Sequence, residues 1–137
     1  MKLFLDANIL VSVLNKEYPL FTYSARILSL ADNKKYTVYT SPICLAIAFY
    51  FAEKKSGTKL AKSKIEILVN KLSITEVGKK EVLAALQNSK VNDFEDGLEF
   101  YAAIDSKCDA IITEDISDFY FSTIPIYDSR AFLEKIL

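Results

Sequence analysis

Lys2-Leu3-Phe4-Leu5-Asp6-Ala7-Asn8 is a short apolar run that ends on a carboxylate, and Ala110-Ile111-Ile112-Thr113-Glu114-Asp115 repeats the pattern far along the chain. Successive apolar residues with no polar alternation mark strands covered on both faces, as in a parallel sheet. Between the two runs, Asn92-Asp93-Phe94-Glu95-Asp96-Gly97 opens a helix with three acids in four residues. If the two strands lie side by side, these carboxylates meet at the carboxyl edge of the sheet, where open α/β folds bind ligands. Clustered carboxylates repel unless a positive charge holds them, and a divalent cation is the usual one.

The surrounding pattern supports an α/β fold. Residues 2–6 read as a strand, followed by a short helix from Asn8 to Asn15 that Tyr18-Pro19 ends. Helical spacing predicts a helix over Leu20–Lys34. Tyr36–Thr40 reads as a strand, and Ser41-Pro42 as a helix start, a capping residue before proline at the first helical position. The helix Ile43–Lys54 is apolar nearly all round, which predicts burial on two sides. Thr58 is expected to cap a helix reaching about Lys71, and Leu72–Thr75 is a weak strand. Further helices follow over Lys79–Asn88, Asp93–Ser106 and Ser129–Leu137, with strands at Ala110–Thr113 and Pro125–Tyr127. Leu98, Tyr101, Ala102 and Ile104 are expected on the inner side of the Asp93 helix. Strands alternating with helices predict one domain over residues 1–137, a central parallel sheet of about five strands with helices on both faces.

Composition narrows the chemistry. The 137 residues are 51% hydrophobic, enough for a core, with only 3 Gly and 3 Pro, too few for an all-β sandwich. No apolar run spans a membrane and the N-terminus lacks a signal pattern, so a cytoplasmic protein with no membrane association is expected. Cys44 and Cys108 lack metal or redox spacing and read as buried free thiols. The absence of histidine removes the Ser-His-Asp triad and ordinary zinc sites. Carboxylates must therefore carry any catalysis. Net charge is only −1, but it is segregated. Lysines dominate from Lys54 to Lys80 and acids from Asp93 to Asp118. An acidic focus beside a basic region suits a metal site acting on a polyanion. Lys54, Lys55, Lys59 and Lys62 are the candidate RNA-backbone contacts; the plainer reading is a solvated helix.

Each acid has a role to be weighed. Asp6 reads as a metal ligand, or as the cap of the helix it precedes. Asn8 could orient it. Asp93 and Asp96 have capping-box spacing, so capping is assigned to Asp93 and chemistry to Asp96. Glu95 and Glu99 are expected to face solvent, with Glu95 a reserve ligand. Asp115 is the ligand nearest its strand end, Asp118 caps a turn, and Thr113 can donate a hydrogen bond to a ligand carboxylate. Asp105, Asp109 and Asp128 read as surface or capping residues. An all-oxygen site with no cysteine nearby would select Mg²⁺ or Mn²⁺ and suit phosphodiester hydrolysis.

Three segments, Leu5-Asp6-Ala7-Asn8-Ile9-Leu10, Asp93-Phe94-Glu95-Asp96-Gly97-Leu98 and Ile111-Ile112-Thr113-Glu114-Asp115-Ile116-Ser117-Asp118-Phe119, resemble in order and spacing the acidic motifs of PIN domains. Thr40-Ser41-Pro42 also resembles that family, and the likeness covers almost the whole chain. It implies a metal-dependent ribonuclease on a parallel sheet, with Asp6, Asp96 and Asp115 as the catalytic, metal-binding acids. It further implies a VapC-like toxin neutralised by an antitoxin protein. One departure stands out: Ile47 occupies the place where VapC-like proteins usually carry a glutamate, as in a branch of the family with a Phe-Glu-Asp step. Glu95 or Asp93 could compensate; otherwise the domain is a catalytically inactive RNA- or protein-binding module. The apolar helix with Phe49, Tyr50 and Phe51 in a row implies a groove for a second copy, as in a homodimer, or for an antitoxin segment. A haloacid-dehalogenase phosphotransferase is disfavoured because Asn8 stands where its second acid belongs. A response-regulator receiver is disfavoured for lack of paired acids after the first strand.

Overall fold

The computed structural model describes residues 1–136. Five strands form one sheet: β1 (Lys2–Leu5), β2 (Thr37–Thr40), β3 (Ser73–Ile74), β4 (Ala110–Ile112) and β5 (Ile126–Tyr127). All pair in parallel, in the order β3-β2-β1-β4-β5. The first strand lies at the centre, and its neighbour β4 is apolar throughout. Leu3, Phe4 and Leu5 are fully buried, as are Ala110, Ile111 and Ile112 beside them. Neighbouring residues of a strand point to opposite faces, so this pattern requires cover on both. Each of the Leu, Ile and Phe side chains among them contributes roughly 1.5–3 kcal/mol on burial.

Among the described residues seven helices supply the cover: α1 (Ala7–Leu14), α2 (Leu20–Ser29), α3 (Pro42–Ser56), α4 (Thr58–Lys71), α5 (Lys79–Gln87), α6 (Phe94–Asp105) and α7 (Ser129–Ile136). They sort into two packed groups, α7–α2–α1–α3–α4 in a run of neighbours and α5 against α6. After β1 the chain builds outward through β2 to β3, then returns to place β4 on the other side of β1. That reversal is the topological switch point. The pairing of β1 with β4 brings Leu5 opposite Ile112. The Asp6 N–H, donating to the Ile112 carbonyl at 3.0 Å, carries the pairing one residue further. The two strand ends thus finish side by side, and a crevice opens beyond them.

Several local expectations are met by the predicted chemistry. Ser41 accepts the Cys44 N–H at 3.1 Å and Pro42 sits in the first turn of α3. Asp93 accepts the Asp96 N–H at 3.2 Å and caps α6. Others need correction. Gly57, at φ 84°, stands between α3 and α4 in the capping position, while Thr58 is already helical and donates to Glu53. The left-handed φ is one a glycine adopts without steric cost. The helix from Leu20 ends at Ser29, and Leu30–Asp32 tightens into a 3-10 turn. Only a narrow stripe of α3 is buried: Cys44, Ala48 and Ala52. These small residues let α1 and α4 approach closely, and Tyr50 and Phe51 remain 49% and 45% exposed. The inner face of α6 is also rotated from the expected one. Leu98 and Ala102 are buried, Tyr101 and Ile104 only partly, while Glu99, Phe100 and Ala103 fill the interior.

Candidate active site

The crevice beyond β1 and β4 is a cleft of about 470 Å³. Asp6, at the end of β1, serves both roles weighed for it. Its Oδ1 accepts the Ala7 N–H at 2.7 Å, as a helix cap, and its Oδ2 accepts the Thr113 hydroxyl at 2.8 Å. Thr113 donates its single proton to Asp6. Its oxygen accepts from Asn8 Nδ2 at 3.1 Å and from the Asp115 N–H at 3.0 Å. The hydroxyl is fully used, which fixes its rotamer. Asn8 Nδ2 also donates to Asp115 Oδ2 at 3.2 Å, and Asn8 Oδ1 accepts the Glu114 N–H at 3.2 Å. Asp6, Asn8, Thr113 and Asp115 are therefore one hydrogen-bonded unit spanning both strand ends. Glu114 is held by the hydroxyl and N–H of Ser129 at the start of α7.

The first turn of α6 forms the facing wall. Asp93, Glu95 and Asp96 line the cleft there, with Asp118 from the 3-10 turn Ile116–Phe119. Asp118 lies inside that turn, and Asp115 occupies the capping position without a side-chain capping bond. Among the described residues no lysine or arginine lines the cleft. The electrostatic consequence falls on Asp96, whose carboxyl is pushed up to about 7 by burial and then by Asp93, Asp118, Asp6 and Glu95. Glu95 and Asp118 are raised for the same reasons, burial first and neighbouring acids after it. A concave surface with this many carboxylates and no protein cation fits a divalent metal bound through oxygen.

Two further groups lie below the cleft: Cys44, buried as expected but not foreseen beside Asp6, and Glu99, which the sequence placed in solvent. Glu99, expected in solvent, is 1% exposed. Its Oε1 accepts the Cys44 Sγ–H at 3.2 Å, and its Oε2 has no hydrogen-bond partner. Burial, with Asp6 close by, pushes the Glu99 carboxyl up to about 11. The signal was present in the spacing. Glu99 follows Asp96 by three residues and so shares its helix face. Against the expectation of no cysteine nearby, Cys44 Sγ, Asp6 and Glu99 offer ligand atoms within 4.8 Å of one another, although Cys44 does not line the cleft itself. Ile47, at the place of the missing glutamate, lines the cleft itself.

The lysines stand apart from the acids. Lys55 donates to the Asn15 carbonyl, and Lys64 to the Leu14 carbonyl at 3.0 Å, so both satisfy the end of α1. Lys54 lies over the Tyr50 ring at 5.3 Å to its centroid. Lys59 and Lys62 are exposed on α4. Asp109 accepts the Lys2 N–H and Asp128 caps α7 through the Ala131 N–H, as their surface and capping readings anticipate. Both cysteines are free and buried. Among the described residues no helix is long and apolar enough to cross a membrane.

Comparison with known proteins agrees with this fold. The family model described as PIN domain matches residues 2–117. VapBC2 from Rickettsia felis, solved with a DNA fragment from its promoter, aligns at TM-score 0.68 and 24% identity, over 93% of this chain and 98% of that one. VapBC-1 from nontypeable Haemophilus influenzae aligns at 0.69 and 15% identity, over 95% and 99%. VapC20 from Mycobacterium tuberculosis, described as a sarcin-ricin loop cleaving toxin, aligns at 0.63 and 16% identity, over 80% and 86%. No curated protein matches in sequence.

Proposed function

The chain belongs to the PIN domain family, and from that premise we propose that it is a metal-dependent endoribonuclease that hydrolyses RNA phosphodiester bonds and acts as the toxin of a type II toxin–antitoxin pair. The observation that carries this reading is the convergence of Asp6, Asp96 and Asp115, from three distant segments, on one cleft without a counter-cation from the protein. These three acids would hold Mg²⁺ or Mn²⁺. The bound ion would supply positive charge at the scissile phosphate and lower the pKa of a bound water. The chain's own contribution is orientation. Thr113 and Asn8 clamp Asp6 and Asp115 in fixed rotamers, so the ligand oxygens are held in place before the ion arrives. Asp93, by capping α6, sets the position of Asp96. Glu95 and Asp118 stand at the rim as auxiliary acids.

The solved toxin–antitoxin complexes of the same fold support an antitoxin partner, and the exposed Tyr50 and Phe51 on α3 offer an apolar surface for it or for a second copy in a homodimer. Lys54, one turn along from the cleft residue Phe51, and Lys59 on α4 would meet the RNA backbone. Lys62 lies further along α4, and Lys55 is engaged with Asn15. A second reading, a binding module without catalysis, draws on Ile47 in the cleft.

Cleavage of RNA by purified protein separates the two readings. Activity is expected with Mg²⁺ or Mn²⁺ and not in EDTA. Asp6→Asn and Asp96→Asn should each reduce it by more than ~100-fold, beyond what loss of an outer-shell partner costs. Asp115→Asn should weaken it less, and Asp109→Asn should leave it intact. Full activity in the first two variants would rule out the metal-nuclease mechanism. An inactive wild type would hand the function to the binding module.

A further inference from the structure

Beneath the cleft, three groups from three elements meet, and two of them, Cys44 and Glu99, have no role in the site above. Asp6 comes from the end of β1, Cys44 from the first turn of α3 and Glu99 from α6. We propose that Asp6, Cys44 and Glu99 form a second, buried cation site that takes a thiophilic dication, zinc in particular, in preference to magnesium.

The geometry fits such an ion. The three ligand atoms lie within 4.8 Å of one another, and Cys44 Sγ is 3.2 Å from Glu99 Oε1. Tetrahedral zinc, with bonds of about 2.0 Å to oxygen and 2.3 Å to sulfur, holds its ligands about 3.3–3.7 Å apart. All three residues are buried, Cys44 to 0% and Asp6 to 8% exposed. Glu99 is the independent indication. Its side chain is almost wholly inaccessible, and Oε2 meets no N–H or hydroxyl donor, only the Asp6 carboxyl beside it. A buried carboxylate oxygen left unpaired costs free energy that a metal bond would offset. No lysine or arginine forms an ion pair with any of the three among the described residues. A thiolate donor then sets the preference, because soft sulfur favours zinc and hard magnesium avoids it.

Binding balances simply. The Cys44 S–H bond breaks, a sulfur–metal bond forms, and the proton leaves to solvent with any proton held on Glu99. Cys44 and Glu99 do not line the cleft, whereas Asp6 does, so Asp6 alone is common to both sites.

The test reads binding without RNA and so stands apart from the nuclease reading. The intact protein is titrated with Co²⁺, which takes zinc sites and gives a sulfur-to-metal charge-transfer absorption. One equivalent of Co²⁺ should produce the band and Zn²⁺ should remove it. Cys44→Ser should abolish the band and Cys108→Ser should keep it. Glu99→Gln should weaken Co²⁺ binding by at least ~10-fold. No band in the wild type, a band that survives Cys44→Ser, or unchanged affinity in Glu99→Gln would overturn the site. Should Cys44→Ser fail to fold, the wild-type band and the Glu99→Gln affinity decide it. A normal band without RNA cleavage would sink only the nuclease reading, and cleavage without a band only the zinc site.

Discussion

Asp6 divides its two oxygens between the cap of α1 and the hydroxyl of Thr113, so it cannot rotate without losing a buried hydrogen bond. Asp96 is different. No side-chain bond fixes its carboxylate, and burial with four neighbouring acids raises its pKa to about 7. A carboxyl raised in the fold prefers its neutral form there. In metal-free protein its stabilising effect is therefore present below about pH 4 and lost as pH rises through about 7. Asp96→Asn should match the wild type near pH 4 and exceed it above pH 7. The gain should be about 1 kcal/mol once solvent screening at a half-open site is allowed for. Thermal melts in EDTA across that range check this. With saturating metal the order should reverse, because the variant forfeits the bound ion.

At the scale of elements, α6 carries most of the consequence. Its one glycine, Gly97, lies where α6 presses on α5. A Cβ there would stand 2.7 Å from Val91 Cγ1 and 3.0 Å from Ala85 Cβ. Gly97→Ala should therefore destabilise the protein by about 1–3 kcal/mol despite the better helix propensity of alanine. The strain should also displace the neighbouring Asp96. Denaturant unfolding measures the first effect, and an unchanged midpoint would show that α5 yields freely. The basic face of α3 and α4 makes a separate claim. Lys54 and Lys59 are free of carbonyl partners, whereas Lys55 caps α1. Reversing Lys54 and Lys59 together should weaken RNA binding and flatten its salt dependence by about 0.7 for each phosphate no longer neutralised. An unchanged slope would leave them as solvated surface.

For the whole molecule, the cleft ties the acids to folding. The cluster joins β1, β4 and α6, so an ion bound there holds the folded state and not the unfolded chain. At a hundred times its dissociation constant such an ion stabilises by roughly 2.7 kcal/mol. Millimolar Mn²⁺ or Mg²⁺ should raise the Tm and EDTA should reverse it, as scanning calorimetry would record. Zinc alone raising the Tm, in a manner abolished by Cys44→Ser, would assign the stabilising site to the lower cluster.

The apolar runs Leu3–Leu5 and Ala110–Ile112, with the caps at Ser41 and Asp93, are local patterns, and they specified the parallel sheet, the positions of its helices and the acids at the strand ends. Strand type, capping and the order of acids follow from residues near in sequence, whose preferences act before any distant contact forms. The encounter of Asp6 with Cys44 and Glu99 belongs to the tertiary structure. It depends on the rotation of α6 about its axis, set by packing of Gly97 on Ala85 and of Phe100 on Phe121. It depends also on the small stripe of α3 that brings Cys44 beneath β1. Helical spacing placed Glu99 on the same face as Asp96 but could not say whether that face met water or the core. A charge buried beside another is decided by what closes over it, and three elements far apart in the chain close over this one.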